Sequence, residues 1–220
     1  AHVCAALQGD NPSRAGDAYV ETLFDSFAET FDAAVGDLDY RVPELVAGYV
    51  KTLSAGLRIL DAGCGTGLNA AALKPRAAKL TGVDLSAKML DAAGKRGLYD
   101  ALEKSDAVAF CHENPSAFDL VVWADVACYF GDLTDLLAAS ARALAAGGRV
   151  VFTVEKAEKP DGYALRPSGR YVHGAAYVEN ALKRAGFSGI ALTDAVLRRE
   201  RGADVAGIFA AAEKTGGDAN

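Results

Sequence analysis

The chain has 220 residues, 51% of them apolar and 24% charged, a balance that suits a globular protein with one substantial core. A net charge of −6 and a pI near 5.1 argue against a broad nucleic-acid footprint, and no apolar run approaches the ~20 residues that span a bilayer. The N-terminus lacks the layout of a signal peptide, and Cys4, Cys64, Cys111 and Cys128 show no C-x-x-C or zinc spacing. The expected compartment is therefore the cytoplasm, with reduced cysteines and no metal.

Residues 1–16 read as a short helical piece and a polar, Pro-containing linker, and the missing initiator Met points to trimming or to a fragment of a longer chain. From Asp17 to Ala34, Tyr19, Leu23, Phe24, Phe27 and Phe31 fall near one face of a helix. Pro43 suits the first turn of a second helix, ending near Leu53. Leu57 to Gly67 (LRILDAGCGTG) then reads as a buried strand, a tight turn and a helix start, with Gly63, Gly65 and Gly67 lacking the Cβ that would hold a ligand off the main chain. The pattern is D-x-G-x-G-x-G rather than G-x-G-x-x-G. A carboxylate at Asp61, one residue before the turn, would repel a pyrophosphate and suits a ligand with a cationic end.

Lys79 to Leu85 reads as the next strand and ends on Asp84, 21 residues after Gly63, where an acidic residue can take both ribose hydroxyls of a nucleotide-like cofactor. Ser86 caps the following helix, which closes at Gly94 or Gly97. Leu102 to Ala107 is a weak strand ending at Ser105 and Asp106, and Phe118 to Ala124 is a strong one that runs into Asp125. Asp132 caps a Leu- and Ala-rich helix through Ala146, and RVVFTVE is the fifth strand. Alternating strands and helices imply right-handed crossovers and a parallel sheet, and all four acids, Asp61, Asp84, Asp106 and Asp125, fall at strand carboxyl ends, where such sheets bind ligands. A polar loop from Lys156 to Arg170 precedes a helix containing ALKRAG, and Phe187–Leu197 and Asp204–Glu213 form a closing hairpin around RRERG, whose Arg198, Arg199 and Arg201 read as a solvated turn. TGGDAN reads as a frayed tail.

By the D-x-G-x-G-x-G motif, and over roughly Tyr19 to Glu213, the sequence resembles the class I S-adenosylmethionine-dependent methyltransferases. AHVCAALQG and YVETLFDSFAETFD resemble the bacterial group associated with tetratricopeptide repeats, which implies a possible upstream repeat domain. The resemblance implies a Rossmann-like α/β fold with a seven-stranded, mostly parallel sheet, an antiparallel last strand and N-terminal lid helices. It divides the chain into a tail or linker (1–16), the methyltransferase domain (17–214, with lid helices at 17–54) and a tail (215–220). By the same resemblance, S-adenosyl-L-methionine meets Asp61, Gly63, Cys64, Gly65, Gly67, Asp84, Leu85, Met89, Ser105, Asp106 and Ala124. Asp125 and Tyr129 stand at the chemistry, and ADVACYF in place of Asn/Asp-Pro-Pro-Tyr argues against an amino-methylating DNA or glutamine enzyme. Arg170 and Tyr171 would bind the acceptor and His173 would orient or deprotonate it. The acceptor is a small molecule or a protein. Two other readings share parts of the pattern: a nicotinamide-dependent oxidoreductase, and a non-catalytic module that binds S-adenosylmethionine.

Overall fold

In the computed structural model, which describes residues 2–216, four helices lead the chain: α1 (His2–Gln8), α2 (Asp17–Phe27), α3 (Phe31–Gly36) and α4 (Val42–Val50). The alternating part follows as β1 (Leu57–Ala62), α5 (Ala70–Leu73), β2 (Ala77–Asp84), α6 (Ala87–Lys95), β3 (Ala101–Lys104), α7 (Ala107–Glu113), β4 (Phe118–Trp123), α8 (Thr134–Ala143) and β5 (Leu144–Lys156). After β5 come β6 (Tyr163–Leu165), β7 (Tyr171–His173), α9 (Ala175–Arg184), β8 (Phe187–Glu200) and β9 (Ala203–Lys214).

β3, β2, β1, β4 and β5 are parallel neighbours in that order, so the chain reverses its direction of growth between β1 and β4. Antiparallel β9 inserts between β5 and β8, giving the expected closing hairpin. The described residues hold nine strands rather than seven. The additional pair, β6 and β7, is a small hairpin cut from the stretch read as loop; β7 pairs with Glu155 and Lys156, beyond the last β5 residue that pairs with β4. That position extends the sheet over the carboxyl end of β4.

Alternation along the strands builds a core on each face. Leu60, Val121, Trp123 and Phe152 pack with α7, α8 and α9, while Ile59, Leu120, Val122 and Val151 pack with α4 and α5. The sequence places α4 among the lid helices, yet Val42, Val46 and Val50 are buried in this second core, so α4 is structural. The helix expected from Asp17 to Ala34 breaks at residues 28–30 into α2 and α3, leaving Phe27 45% exposed at the bend. The helix after the glycine turn is only four residues long before a 3-10 turn at Lys74–Arg76. α8 starts at Thr134, with Asp132 accepting the Thr134 N–H at 2.9 Å, and stops at Ala143 because β5 begins at Leu144.

Residues 10–16, read from sequence as a linker, form an arm laid against the β-edge. Ala15 N–H donates to Tyr129 O (2.8 Å), Ser13 O accepts from Gly131 and Asp132, and Tyr171 Oη donates to Pro12 O (2.8 Å). At the other end, residues 217–220 of the expected tail lie outside the described residues.

Candidate functional site

The end of β1 turns through Gly63 and Gly65, with φ of 71° and 53°, into left-handed backbone that glycine adopts without steric cost. At Gly63 a Cβ would sit 2.5 Å from Val126 Cγ2; at Gly65 it would meet open space, so a side chain there would protrude into the cleft. Asp84, at the end of β2, ties the turn down. Its Oδ2 accepts the Gly65 N–H at 2.9 Å and its Oδ1 accepts the Ser86 N–H at 2.9 Å. Burial raises the Asp84 carboxyl above its ordinary range, against the pull of those two amides.

These groups line one half of a cleft of about 1,120 Å³, counting its solvent-filled mouth, above the strand carboxyl ends. Gly63, Cys64, Gly65, Asp84, Leu85, Ser105, Asp106 and Ala124 of the expected cofactor set border it. Asp106 caps α7 through Ala109 N–H (2.8 Å) and pairs with Arg14 of the arm at 2.9 Å; Arg14 also lies over the Phe130 ring. The Cys64 thiol is held protonated by burial and by its neighbours Asp61 and Asp84, which suits a loop filler. Asn69 borders the cleft with a buried Oδ1 that has no partner among the described residues.

Three expected cofactor residues lie elsewhere. Asp61 is buried beneath the turn and accepts the Tyr99 hydroxyl at 2.7 Å, leaving Oδ1 without a partner among the described residues; burial pushes its carboxyl up to about 7. It braces the turn from below instead of facing a ligand. Gly67 packs toward Tyr99 and Met89, on α6, is fully buried; neither borders the cleft.

The other half of the cleft is roofed by α2 and α3 through Val20, Phe24, Phe31 and Val35, with Leu38 and Tyr40 following. Polar clasps hold this roof to the cofactor-side loops. Ser86 Oγ donates to Asp25 (2.5 Å), Thr66 Oγ1 and Arg96 Nη2 both donate to Asp32 (2.5 Å each), and Lys104 pairs with Glu21 (2.8 Å). Opposite them Asp125 sits at φ 58°, an uncommon conformation for a residue with a Cβ. Its N–H donates to Thr153 Oγ1 (2.9 Å), and Arg170 Nη1 reaches both its carboxylate oxygens at 3.1 Å. Tyr129 borders the same space, with Arg170 5.6 Å from its ring centre.

Two acceptor-side expectations fail. His173 lies on β7, fully buried, with Nε2 donating to Gly131 O at 3.1 Å and its ring stacked on Tyr177. Burial pushes it down to about 4, and it does not border the cleft, so it neither orients an acceptor nor takes its proton. Tyr171 is likewise buried, with its hydroxyl spent on Pro12. Arg198, read as part of a solvated turn, is the residue that sequence reasoning missed: it is 3% exposed and borders the cleft. The strand register shifts between Val196 and Arg198, a bulge that turns Leu197 against Gly207 while Arg198 reaches Glu155 (2.5 Å) and Glu200 (2.6 Å).

The sheet order, the reversed hairpin and the glycine turn are the fold of the class I methyltransferases. Residues 60–152 match the family model described as a methyltransferase domain. The ubiquinone biosynthesis O-methyltransferase of Stutzerimonas stutzeri (strain A1501) is 31% identical over 134 residues, 59% of this chain and 55% of that one, so the chain spans about half the length of the curated relatives it matches. Among solved structures, the 1,6-didemethyltoxoflavin-N1-methyltransferase of Burkholderia thailandensis superposes with a TM-score of 0.68 at 20% identity, covering 94% of this chain and 93% of that one. The [4+2]-cyclase SpnF superposes with a TM-score of 0.75 at 19% identity, covering 94% and 99%. At these identities the solved structures establish the fold.

Proposed function

We propose that the chain binds S-adenosylmethionine across the ends of β1, β2 and β3 and transfers its methyl group to a small-molecule acceptor held under α2 and α3. The observation that carries this reading is Asp84, whose two oxygens each keep a lone pair free of the Gly65 and Ser86 amides, facing the cleft beside a bare glycine turn. That arrangement takes a ribose diol. By the resemblance Asp106 would accept from an exocyclic amine, and the Asn69 Oδ1, without a partner among the described residues, is an acceptor for an ammonium. Among the described residues Arg14 is the one cation bordering this half, and it is committed to Asp106 and Asp17. A pyrophosphate would therefore face carboxylates with no uncommitted guanidinium to offset them, which disfavours a nicotinamide cofactor.

When bound, S-adenosylmethionine would be held by Asp84, Asp106 and Asn69 and would supply an activated methyl on a sulfonium, with a neutral thioether as its leaving group. The chain's own work is placement. The roof covers the cleft, Tyr129 and Val126 shape the approach, and the Asp125 carboxylate, steadied by Arg170, takes the proton that the acceptor hydroxyl or amine sheds. The matched relatives carry the names of O- and N-methyltransferases, which supports a small-molecule acceptor, while SpnF reminds one that this fold also houses another reaction. A cytoplasmic site of action and kinship with the repeat-associated group belong to the same proposal, supported by the acidic pI and by the likeness of AHVCAALQG to a repeat tail.

Isothermal calorimetry tests the cofactor. Heat from S-adenosylhomocysteine at micromolar affinity, with none from NAD, is the expected result; the reverse would overturn the reading.

A further inference from the structure

The acceptor end of the cleft holds a hydrogen bond that the protein does not complete. Arg198 uses Nε on Glu200 and Nη2 on Glu155. Its Nη1 is buried and has no hydrogen-bond partner among the described residues, and Asp125 Oδ1 stands 3.8 Å away, beyond good bonding distance. A bare donor on a buried guanidinium has given up water for nothing, so an oxygen delivered from the cleft would gain a charge-assisted bond there.

The surroundings select the kind of oxygen. Arg170 and Arg198 already face Asp125 and Glu155, and Glu200 flanks Arg198 from its half-exposed side. No positive charge is left over, and an anion seated on Nη1 would lie beside the Asp125 carboxylate. A neutral carbonyl oxygen meets the same donor without that repulsion. The rest of the space is apolar and ringed by aromatic edges: Phe24 stands 5.6 Å from Tyr129 and 6.1 Å from Phe31 between ring centres, with Val35 and Leu38 beside them.

Resting on the methyl-transfer reading, we infer that Arg198 selects and orients the acceptor, an apolar, ring-bearing molecule whose neutral carbonyl oxygen accepts a hydrogen bond from Arg198 Nη1. The bulge before Arg198 is what the fold spends on this. Without it, strand alternation would put Leu197 and Arg198 on opposite faces, and the guanidinium would leave the cleft.

The test uses the full chain saturated with S-adenosylhomocysteine and three probes of similar size: benzamide, benzoate and toluene. Benzamide should bind at least about tenfold tighter than toluene, the lower end of one charge-assisted bond, should outrank benzoate, and should shift the Arg198 Nε–Hε resonance in a nitrogen-edited NMR spectrum. R198K should abolish the preference over toluene while leaving S-adenosylhomocysteine affinity within about threefold, a change too small to signal a lost bond. If R198K fails to fold, the wild-type ranking and the resonance shift decide alone. Tightest binding by benzoate, equal binding by toluene, or an unmoved Arg198 resonance would each overturn the inference. Should S-adenosylhomocysteine itself not bind, the methyl-transfer reading falls, and the probe ranking is then read on the free protein; binding of S-adenosylhomocysteine without a benzamide preference overturns only the role of Arg198.

Discussion

Replacing Asp84 by Ala isolates the contact on which the cofactor assignment depends. Each carboxylate oxygen is engaged once by a backbone amide at 2.9 Å, leaving one acceptor position per oxygen for a ribose hydroxyl. Two charge-assisted hydrogen bonds at about 1.5 to 3 kcal/mol each amount to about 3 to 6 kcal/mol of lost binding. Water entering the vacated space recovers part of that sum, and freeing Gly65 from its tether loosens the turn, so the lower figure governs: about 3 kcal/mol, or roughly a hundredfold in Kd. Asp84→Asn keeps the shape and one acceptor oxygen, and should cost about tenfold. Calorimetry with S-adenosylhomocysteine measures both, with near-ultraviolet circular dichroism as the check on folding. An Asp84→Ala protein that folds and binds within twofold of the parent would show that the ribose is held elsewhere, and the argument from the glycine turn would fall with it.

Other consequences are open to direct measurement. Burial lifts Asp61 from 3.8 to about 7, so between those values the folded chain holds a proton that the unfolded chain has released, and stability falls as pH rises. Burial lowers His173 from 6.5 to about 4, so across that window the unfolded chain holds the extra proton and stability rises with pH. In guanidinium titrations from pH 4.5 to 7.5, Asp61→Asn should therefore gain a rising slope relative to the parent and His173→Asn a falling one, each up to about 1.4 kcal/mol per pH unit; parallel profiles would refute both burial arguments. His173→Ala should lower stability by about 2 to 4 kcal/mol, as for other large buried side chains, while S-adenosylhomocysteine affinity stays within twofold by calorimetry. The roof of α2 and α3 should gain amide protection when S-adenosylhomocysteine binds, because its clasps land on Ser86 and Thr66 beside the cofactor loops; equal hydrogen exchange over residues 17–36 with and without ligand would make it fixed packing.

The central sheet was legible because parallel strands buried on both faces read as apolar runs, and LRIL, FDLVVW and RVVFTV all end where an acid or a loop begins. Asp84 follows from the similar run KLTGV, whereas Asp106 ends a weak strand and is picked out by the resemblance. The acceptor side was not legible, for identifiable reasons. β6 and β7 are three residues each, too short for period-two alternation to register, so His173 read as loop when it is an inward residue of a hairpin. Arg198 sits among Arg199, Glu200 and Arg201, where charge density signals solvent, and only the bulge buries it. Asp61 follows the family spacing, yet the local pairing with Tyr99, 38 residues on, decides where its carboxylate points.

The N-terminal arm also bears on how the protein comes to be made. Residues 10–16 dock on residues 129–132 and on the hairpin near Tyr171, and the His2 ring bonds Gly169, 167 positions away. On a ribosome moving at about 5 to 20 residues per second, the arm waits on the order of 10 to 30 seconds for those partners to emerge. Once Lys104 has been made, β1, β2 and β3 can pair, being close in sequence, while the cleft above them still has no far wall. A nascent chain can thus assemble its nucleoside half well before its acceptor half, and the last segment needed to shape the acceptor end is β9, which joins β8 and its Arg198 to β5.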